Sequence, residues 1–407
     1  MKHLLFINQH YYPDYAATGQ LLAELCDDLV SAGFRVTVIT GFPEPGTFPS
    51  EIRPLKVEKN GILTIFRLYN HPAGNKSILN RLLHFFSFWF LSIIKSLTVT
   101  RPDLVFVMST PPLLNGVTAN LIRLIRRVPY VYNVQDLYPD IAVQMGTIRN
   151  RQLIRLSAAI ENYINHHAQQ IVTLSEPMKD KIVSHGVEPG KVSVIPNWSD
   201  GNLIRPVQDS PLRTEWDLRD RFVIMYSGNT GMSQGLDWIM EAMVPVAADH
   251  PDLVFVIVGG GVRLPQLKEN ANRNGWTFVR FFPFQPKEQL GQSLAVADLH
   301  LVPLTAGMSD YLVPSKFYGI AAAGRPTLAL VDEGSEIDRI VRSQNLGFSI
   351  RHGQADDFRS AITLAVNDRD SLREMGVRAR RYFDSTLDRT IATSAYRTLL
   401  NRLVNNG

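Results

Sequence analysis

The chain has 407 residues, 45% of them hydrophobic and 20% charged, with a formal net charge of +4. That is the composition of a globular protein with one to three cored domains, and it excludes a disordered or fibrous chain. So small a positive excess gives no case for nucleic acid as a partner, and the single cysteine, Cys26, excludes an intramolecular disulfide and fits a reducing compartment.

The N-terminal MKHLLFINQH carries a cationic residue and an apolar run. The run is too short for a signal peptide and no small-residue cleavage site follows, so it reads as a first β-strand. Apolar, β-branched runs then recur at His3–Asn8, Arg35–Thr40, Ile62–Leu68, Leu104–Ser109, Tyr130–Val134, Ile171–Ser175 and Val192–Asn197, with helical segments between most of them. One helical segment, LLHFFSFWFLSIIK from Leu82 to Lys95, is bracketed by Arg81 and Lys95. It falls short of the about 20 apolar residues that span a bilayer. It is either a core helix or an interfacial helix that dips into one leaflet, with Phe88 and Trp89 meeting lipid. The basic clusters Arg126–Arg127 and Arg378–Arg381 read as solvated helix faces, with anionic lipid as the second reading.

A polar, proline-containing passage from Trp198 to Pro211 follows, after which the alternation restarts at Phe222–Gly228, Leu253–Gly259, Phe278–Phe284, Leu299–Leu304 and Thr327–Val331. Apolar strands alternating with helices predict parallel sheets covered on both faces. The expected architecture is α/β, with two Rossmann-like doubly wound domains over residues 1–200 and 201–387, and a terminal helix over 388–407 that crosses back to the first.

Open α/β sheets bind ligands beyond the carboxyl ends of their strands, so two facing domains make the cleft between them the expected site. Thr18 and Gly19 open the first helix, where the glycine either lets backbone approach a ligand or makes a tight turn. YNVQDLYPD puts Gln135 and Asp136 just past the fifth run. Asp136 either hydrogen-bonds a hydroxylated substrate or caps the following turn. STPPLLNG, after the fourth run, forms a rigid loop at the same edge. In the second half, YSGNTGMSQGLDWIMEA sets Gly228, Gly231 and Gly235 in a strand-to-helix turn, and Gly259–Gly261 make a second glycine-rich strand end. Each is also readable as a plain turn.

The helix in LVPSKFYGIAAAGRP is more specific. Pro314, Ser315 and Lys316 open it, with Ser315 as N-cap, and Gly324 and Pro326 stop it. Its first amides, the Ser315 hydroxyl and the Lys316 ammonium converge where the helix dipole is positive, which suits a diphosphate. Gly319 costs roughly 1 kcal/mol relative to alanine inside a helix, and leaves room for a ligand body. The alternative, a capped helix with a solvent lysine, leaves Gly319 unexplained. The sequence offers no metal constellation: there is no C-x-x-C or H-E-x-x-H, and His166 and His167 are adjacent and point apart on a helix. Asp368-x-Asp370 reads as a helix N-cap, and neither G-x-S-x-G nor a P-loop lysine motif is present.

Taken in order, STPPLLNG, YNVQDLYPD, VIPNWSD, YSGNTGMSQGLD and VPSKFYGIAAAGRP resemble glycosyltransferase family 4, above all its bacterial O-antigen, capsule and exopolysaccharide members of the fucosaminyl and colanic-acid type. The resemblance spans nearly the whole chain. It implies a GT-B fold, a nucleotide diphosphate sugar (a UDP- or GDP-sugar) held mainly by the C-terminal domain, an acceptor held by the N-terminal domain, retention at the anomeric carbon and no metal or other cofactor. It also implies donor-side roles for Thr18, Gly19, Gly228, Asn229, Gly231, Gln234, Gly260, Phe284, Pro314, Ser315 and Gly319, and catalytic roles for Asp136, Gln135 and Lys316. The chain departs from the family pattern in places. Asn229 and Gln234 stand where many members have Arg and Lys, and Gln135 where a histidine is common. Of two glutamates spaced eight apart, the second falls on Gly319 and the first near Tyr311, leaving Glu336 as the replacement carboxylate and Lys316 as the remaining cation.

The resulting expectation is a retaining, metal-independent transferase at the inner face of the cytoplasmic membrane, acting on a lipid-linked saccharide. Helix-end amides and Lys316 would meet the departing diphosphate. Two rivals remain at this stage: a catalytically silent nucleotide-sugar-binding subunit of a polysaccharide complex, and a nucleotide-sugar epimerase on the same fold.

Overall fold

The computed structural model describes residues 1–14, 16–43, 55–71 and 78–405; the side chain of Arg81, expected to bracket the aromatic helix, lies outside what is described. The chain divides into two units, Met1–Pro196 with Thr393–Gly407, and Asn197–Ala392. The sequence puts the joint at 200/201, and the terminal helix from 388.

In the first unit the strands β1 (His3–Ile7), β2 (Arg35–Gly41), β3 (Leu55–Asn60), β4 (Leu63–Leu68), β5 (Leu104–Met108), β6 (Tyr130–Asn133), β7 (Gln170–Thr173) and β8 (Val192–Val194) form one sheet in the order β3-β4-β2-β1-β5-β6-β7-β8. All pairs are parallel except β3 with β4. The helices are α1 (Ala17–Ser31), α2 (Ile78–Thr98), α3 (Leu114–Arg126), α4 (Asp140–Gln144), α5 (Arg151–His167) and α6 (Glu176–Ser184). β1 and β5 are buried at every residue, as strands covered on both faces must be. β3 escapes a search for apolar runs because LKVEKN is almost wholly exposed. It is a charged edge strand that blunts the sheet against further pairing, and Gly61, at φ +56°, turns it into β4.

The second unit holds α7 (Pro211–Glu215), β9 (Phe222–Ser227), α8 (Leu236–Asp249), β10 (Leu253–Val258), α9 (Leu264–Arg273), β11 (Val279–Phe282), α10 (Leu290–Leu294), β12 (Leu299–Pro303), α11 (Lys316–Ala322), β13 (Thr327–Leu330), α12 (Glu336–Ser343), β14 (Gly347–Ile350), α13 (Ala355–Asn367) and α14 (Arg369–Tyr382). Its sheet is parallel, in the order β11-β10-β9-β12-β13-β14. Alternation along β9 makes two cores. Phe222, Ile224 and Tyr226 pack with Ile239, Met240 and Met243 of α8, while Val223 and Met225 pack with Leu212, Trp216 and Leu218. β14 is a strand that the sequence reading misses. It has only four residues, and Gly347 is required because a Cβ there would collide with the Thr327 carbonyl. Asp368 caps α14 as expected, its carboxylate accepting from Ser371 N at 2.9 Å.

The final helix, α15 (Arg389–Asn405), contributes its residues from Thr393 onward to the first unit. There Asn133 Nδ2 donates to the Tyr396 hydroxyl at 2.6 Å, the Tyr396 ring meets Phe106 edge-on, and Lys2 Nζ donates to the Val404 carbonyl.

Each sheet is wound outward in two directions from a central strand. The switch falls between β1 and β5 in the first and between β9 and β12 in the second. Crevices in doubly wound sheets open at these points, where successive crossovers leave to opposite sides.

Candidate functional site: the strand ends of the two sheets

In the second unit the switch point is framed by the loop after β9, residues 228–235, and by the segment after β12 that leads into α11. Lys316 is the first residue of α11, and its side chain runs back toward β9. Its Nζ lies 5.1 Å from the centre of the Tyr226 ring, and a Cβ on Gly228 would collide with its Cε. Gly228, at φ +144°, is therefore a glycine for two reasons: the backbone conformation, and the passage of the lysine. Among the described residues no carboxylate pairs with Lys316. Burial alone draws its pKa down to about 8, because an ammonium away from water loses its hydration. Among the described residues Lys316 is thus a half-buried cation at a strand end, set against the Tyr226 ring without an ion-pair partner.

The glycine-rich strand ends interlock beside it. Thr230 N donates to the Gly260 carbonyl at 2.7 Å, and Gly231 N to Gln234 Oε1 at 2.9 Å. A Cβ on Gly259 would strike the Gly228 carbonyl, and one on Gly261 would strike Asn229 Oδ1. The Phe284 ring lies against Gly260, 3.5 Å from where a Cβ would stand, yet the residue is 59% exposed. Gly228, Asn229, Gly231, Gln234, Gly260 and Lys316 thus form one surface, with Phe284 as an open aromatic face at its margin. Tyr226, which carries the lysine, went unnoticed in the sequence; its signal is an aromatic residue closing a strand just before Ser-Gly.

Other donor-side expectations need correcting. Ser315 occupies the N-cap position of α11 but has helical dihedrals, and its side chain makes no capping hydrogen bond. Pro314 serves through its carbonyl, which accepts from Phe317 N at 3.3 Å. α11 spans only seven residues, so its dipole is weak and the lysine carries the charge. Gly319 does not open onto a ligand: its missing Cβ would lie 3.5 Å from Leu294 and 3.8 Å from Ile204. Gly324, at φ +64°, is the stop signal the sequence predicts. Glu336 opens α12, and its charge acts on the half-buried Tyr382 hydroxyl, whose pKa is raised first by burial and then by that charge.

In the first unit Gln135 is buried and committed. Its N–H donates to Ser109 Oγ and its Nε2 to Asn133 Oδ1 at 2.6 Å, in the chain of bonds that ends at Tyr396. It positions the loop and is not an open catalytic group. Asp136, next to it, is held in a site where burial pushes its pKa up to about 6. Thr18 is half-buried, and Gly19 is buried, with the backbone of Tyr11 and His10 standing 2.8 and 2.9 Å from where its Cβ would be. Gly19 therefore lets two parts of the chain touch, with no space left for a ligand. Past β1, His10 Nδ1 and Asp14 Oδ2 pair at 2.6 Å, a dyad the sequence did not reveal. The sequence shows no metal-ligand spacing either, but the fold brings Asp140, Glu161 and His185 together. Burial, and then the Asp140 charge, raise the Glu161 pKa to about 8.

Two doubly wound parallel-sheet units in one chain are the domain architecture of the GT-B class. The family "Glycosyl transferase 4-like domain" matches residues 17–198, and the family "Glycosyl transferases group 1" matches residues 221–368. The chain belongs to glycosyltransferase family 4, in the group that holds the bacterial polysaccharide-building enzymes. It is 28% identical over 404 residues to the Escherichia coli (strain K12) protein named as the colanic acid biosynthesis glycosyl transferase WcaI, covering 96% of this chain and 97% of that one. It is 27% identical over 286 residues to the Pseudomonas aeruginosa protein named as the glycosyltransferase WbjE, covering 69% and 71%. Among solved structures, sucrose-phosphate synthase from Thermosynechococcus elongatus superposes with a TM-score of 0.78 at 16% identity, over the whole of both chains. Anabaena HepE in complex with UDP and glucose does so at 0.74 and 16%, over 99% of this chain and all of that one. At such identity these structures share the fold.

Proposed function

We propose that the chain transfers a sugar, with retention, from a nucleotide diphosphate sugar to a lipid-linked saccharide during cell-surface polysaccharide assembly. The observation that carries this is the unpaired Lys316 ammonium at the switch point of the second sheet, walled by glycines that keep side chains away from it. In this reading the donor diphosphate lies on Lys316 and the Gly228–Gln234 loop, and Phe284 offers a stacking face to the base. Lys316 stabilises the charge that grows on the leaving diphosphate, a preorganised electrostatic contribution that needs no metal ion at the phosphates. The leaving phosphate takes the acceptor hydroxyl proton. The new glycosidic bond forms on the face from which the diphosphate departs, and configuration is kept. Asp136 binds substrate hydroxyls in the first unit, and the neighbouring Gln135 holds its loop in place. The likeness to WcaI over almost the full length of both chains favours a transferase over a silent subunit or an epimerase.

The membrane reading rests on α2. Phe88 is fully buried, so the aromatic pair expected at lipid is half wrong, and one face of the helix is core. Leu82, Leu83, Phe86, Phe90 and Ile94 stand 45–61% exposed at helical spacing on the other face. Neighbouring α3, which packs on α2, ends in exposed Leu124 and Ile125 beside Arg123, Arg126 and Arg127. An apolar stripe beside arginines suits an anionic lipid surface at the inner face of the cytoplasmic membrane, where a lipid-linked acceptor would be met. No helix of the described residues is long and apolar enough to cross a membrane.

The test is to incubate the protein with UDP- and GDP-sugars and a lipid-linked saccharide, and to read the anomeric configuration of the product by NMR. Transfer with retention supports the reading; inversion, or epimerised donor without transfer, refutes it. In parallel, Phe86→Ser with Phe90→Ser should reduce sedimentation with anionic vesicles while the fold survives. Phe88→Ser should unfold the protein instead.

A further inference from the structure

The first unit gathers three ligating side chains on segments that the transfer reaction leaves unused. Asp140 opens α4, Glu161 lies in α5, and His185 directly follows α6. One oxygen of each carboxylate and one ring nitrogen of the histidine all lie within 4.8 Å of one another. Glu161 is only 4% exposed, and among the described residues its carboxylate has neither a hydrogen-bond donor nor a basic partner. Asp140 Oδ2 is also buried without a hydrogen-bond partner. A buried carboxylate with no donor of its own, facing a second carboxylate oxygen that also lacks one, is costly. Such an arrangement persists when a cation satisfies both, or when one acid stays protonated.

We propose that Asp140, Glu161 and His185 bind a divalent transition-metal ion of the zinc class, which ties α4, α5 and α6 together. The imidazole is what selects against the alternatives. Magnesium and calcium take oxygen ligands, whereas two carboxylates and one histidine are a mixed oxygen and nitrogen set that zinc accepts. Three protein ligands leave a fourth position for water. Zinc bonds of about 2.0–2.2 Å hold ligand atoms at most about 4.4 Å apart, so modest side-chain rotation closes the site from the arrangement seen. Asp140 and His185 are both half-buried, giving an ion access from solvent. Asp140 also shares a loop with Asp136, so the ion would steady the strand end that carries that acid. The site is separate from the proposed donor-diphosphate site, since Lys316 belongs to the other unit.

The experiment uses the full chain, tag removed and stripped with EDTA. It is dialysed against micromolar zinc chloride in excess magnesium, then assayed for bound zinc by mass spectrometry and for its melting midpoint. The expected result is one zinc per chain and a raised midpoint, since an ion that binds only the folded state stabilises it. Glu161→Gln and His185→Ala should each lose both effects, while the control His166→Ala with His167→Ala keeps them. If Glu161→Gln fails to fold, Asp140→Asn takes its place in the comparison. The proposal is overturned if the wild type retains no zinc, if the site variants bind as the wild type does, or if the control alone loses binding. The first of these outcomes would identify the pair as two acids sharing a proton. None of them bears on donor binding, which is measured separately.

Discussion

Gly19, in the first turn of the helix that follows β1, and Gly228, directly after β9, each stand where an added side chain would collide with a neighbour. The reasons differ. At Gly19 the missing side chain makes room for the backbone of His10 and Tyr11. At Gly228 it makes room for the side chain of Lys316, a residue far away in the sequence. The surroundings differ in the same sense. The first sheet ends in neutral amides, Asn133 and Gln135, with the His10–Asp14 pair and the burial-perturbed Asp136. The second ends in one cation with no carboxylate partner among the described residues. The same winding thus ends in neutral amides and one acid in the first unit and in a lysine in the second, which the proposed function assigns to hydroxyls and to phosphates. A glycine at a strand end is evidence of close approach, and only the structure says by what.

That comparison is open to test. A loss of stability alone is expected at Gly19→Ala, because its Cβ would meet backbone that cannot swing aside. Overpacking of this kind costs about 1–3 kcal/mol; the loss should appear in denaturant unfolding, with nucleoside diphosphate affinity unchanged. Gly228→Ala should weaken that affinity by displacing Lys316, and should also destabilise by about 1–3 kcal/mol through its positive φ. In a Lys316→Ala background the affinity loss should vanish and the stability loss remain. An affinity loss that persists would mean the glycine itself approaches the ligand.

A smaller effect is expected with pH. In the proposed function the ammonium form of Lys316 binds phosphate, and burial lowers its pKa to about 8. Diphosphate affinity should be level below that pH and fall by up to about tenfold per unit above it. Because the folded pKa lies below the ordinary lysine value of 10.5, the empty protein carries a charge-burial cost at neutral pH. That cost is relieved as pH rises from about 8 to 10.5, so unfolding free energy should increase across this window. Titration of affinity and stability checks both signs. The smallest effect belongs to Gly319→Ala. A Cβ fits at 3.5–3.9 Å from its neighbours, so the fold should gain up to about 1 kcal/mol from helix propensity while affinity stays the same. A fall in affinity would restore Gly319 to the ligand site.

Most strands were legible because β-branched apolar runs mark strands buried on both faces, and the alternation with helices gave the two doubly wound units. β3 was not, since an exposed edge strand carries lysine and glutamate where a core strand carries valine. Lys316 was legible from its charge at a strand-to-helix junction, whereas its bed on Tyr226 and Gly228 depends on a crossover that brings β9 beside β12. Gly319 misled because a helical glycine next to a proposed site invites a ligand, while its neighbours Ile204 and Leu294 come from other segments. Asp140, Glu161 and His185 were illegible for the same reason: they come from α4, α5 and the residue after α6, and share no short motif.

Calorimetry with paired ligands decides whether Lys316 is the cation for the donor diphosphate. Wild type and Lys316→Met would each be titrated with UDP and uridine, and with GDP and guanosine. For the nucleotide that binds, the methionine variant should lose about 1.5–3 kcal/mol of diphosphate binding, roughly 10- to 150-fold, the range for a charge-assisted hydrogen bond. The nucleoside should bind both proteins alike, and the variant should melt higher because a buried charge is gone. Equal diphosphate affinity in the two proteins would contradict the account, and would place the phosphates away from Lys316.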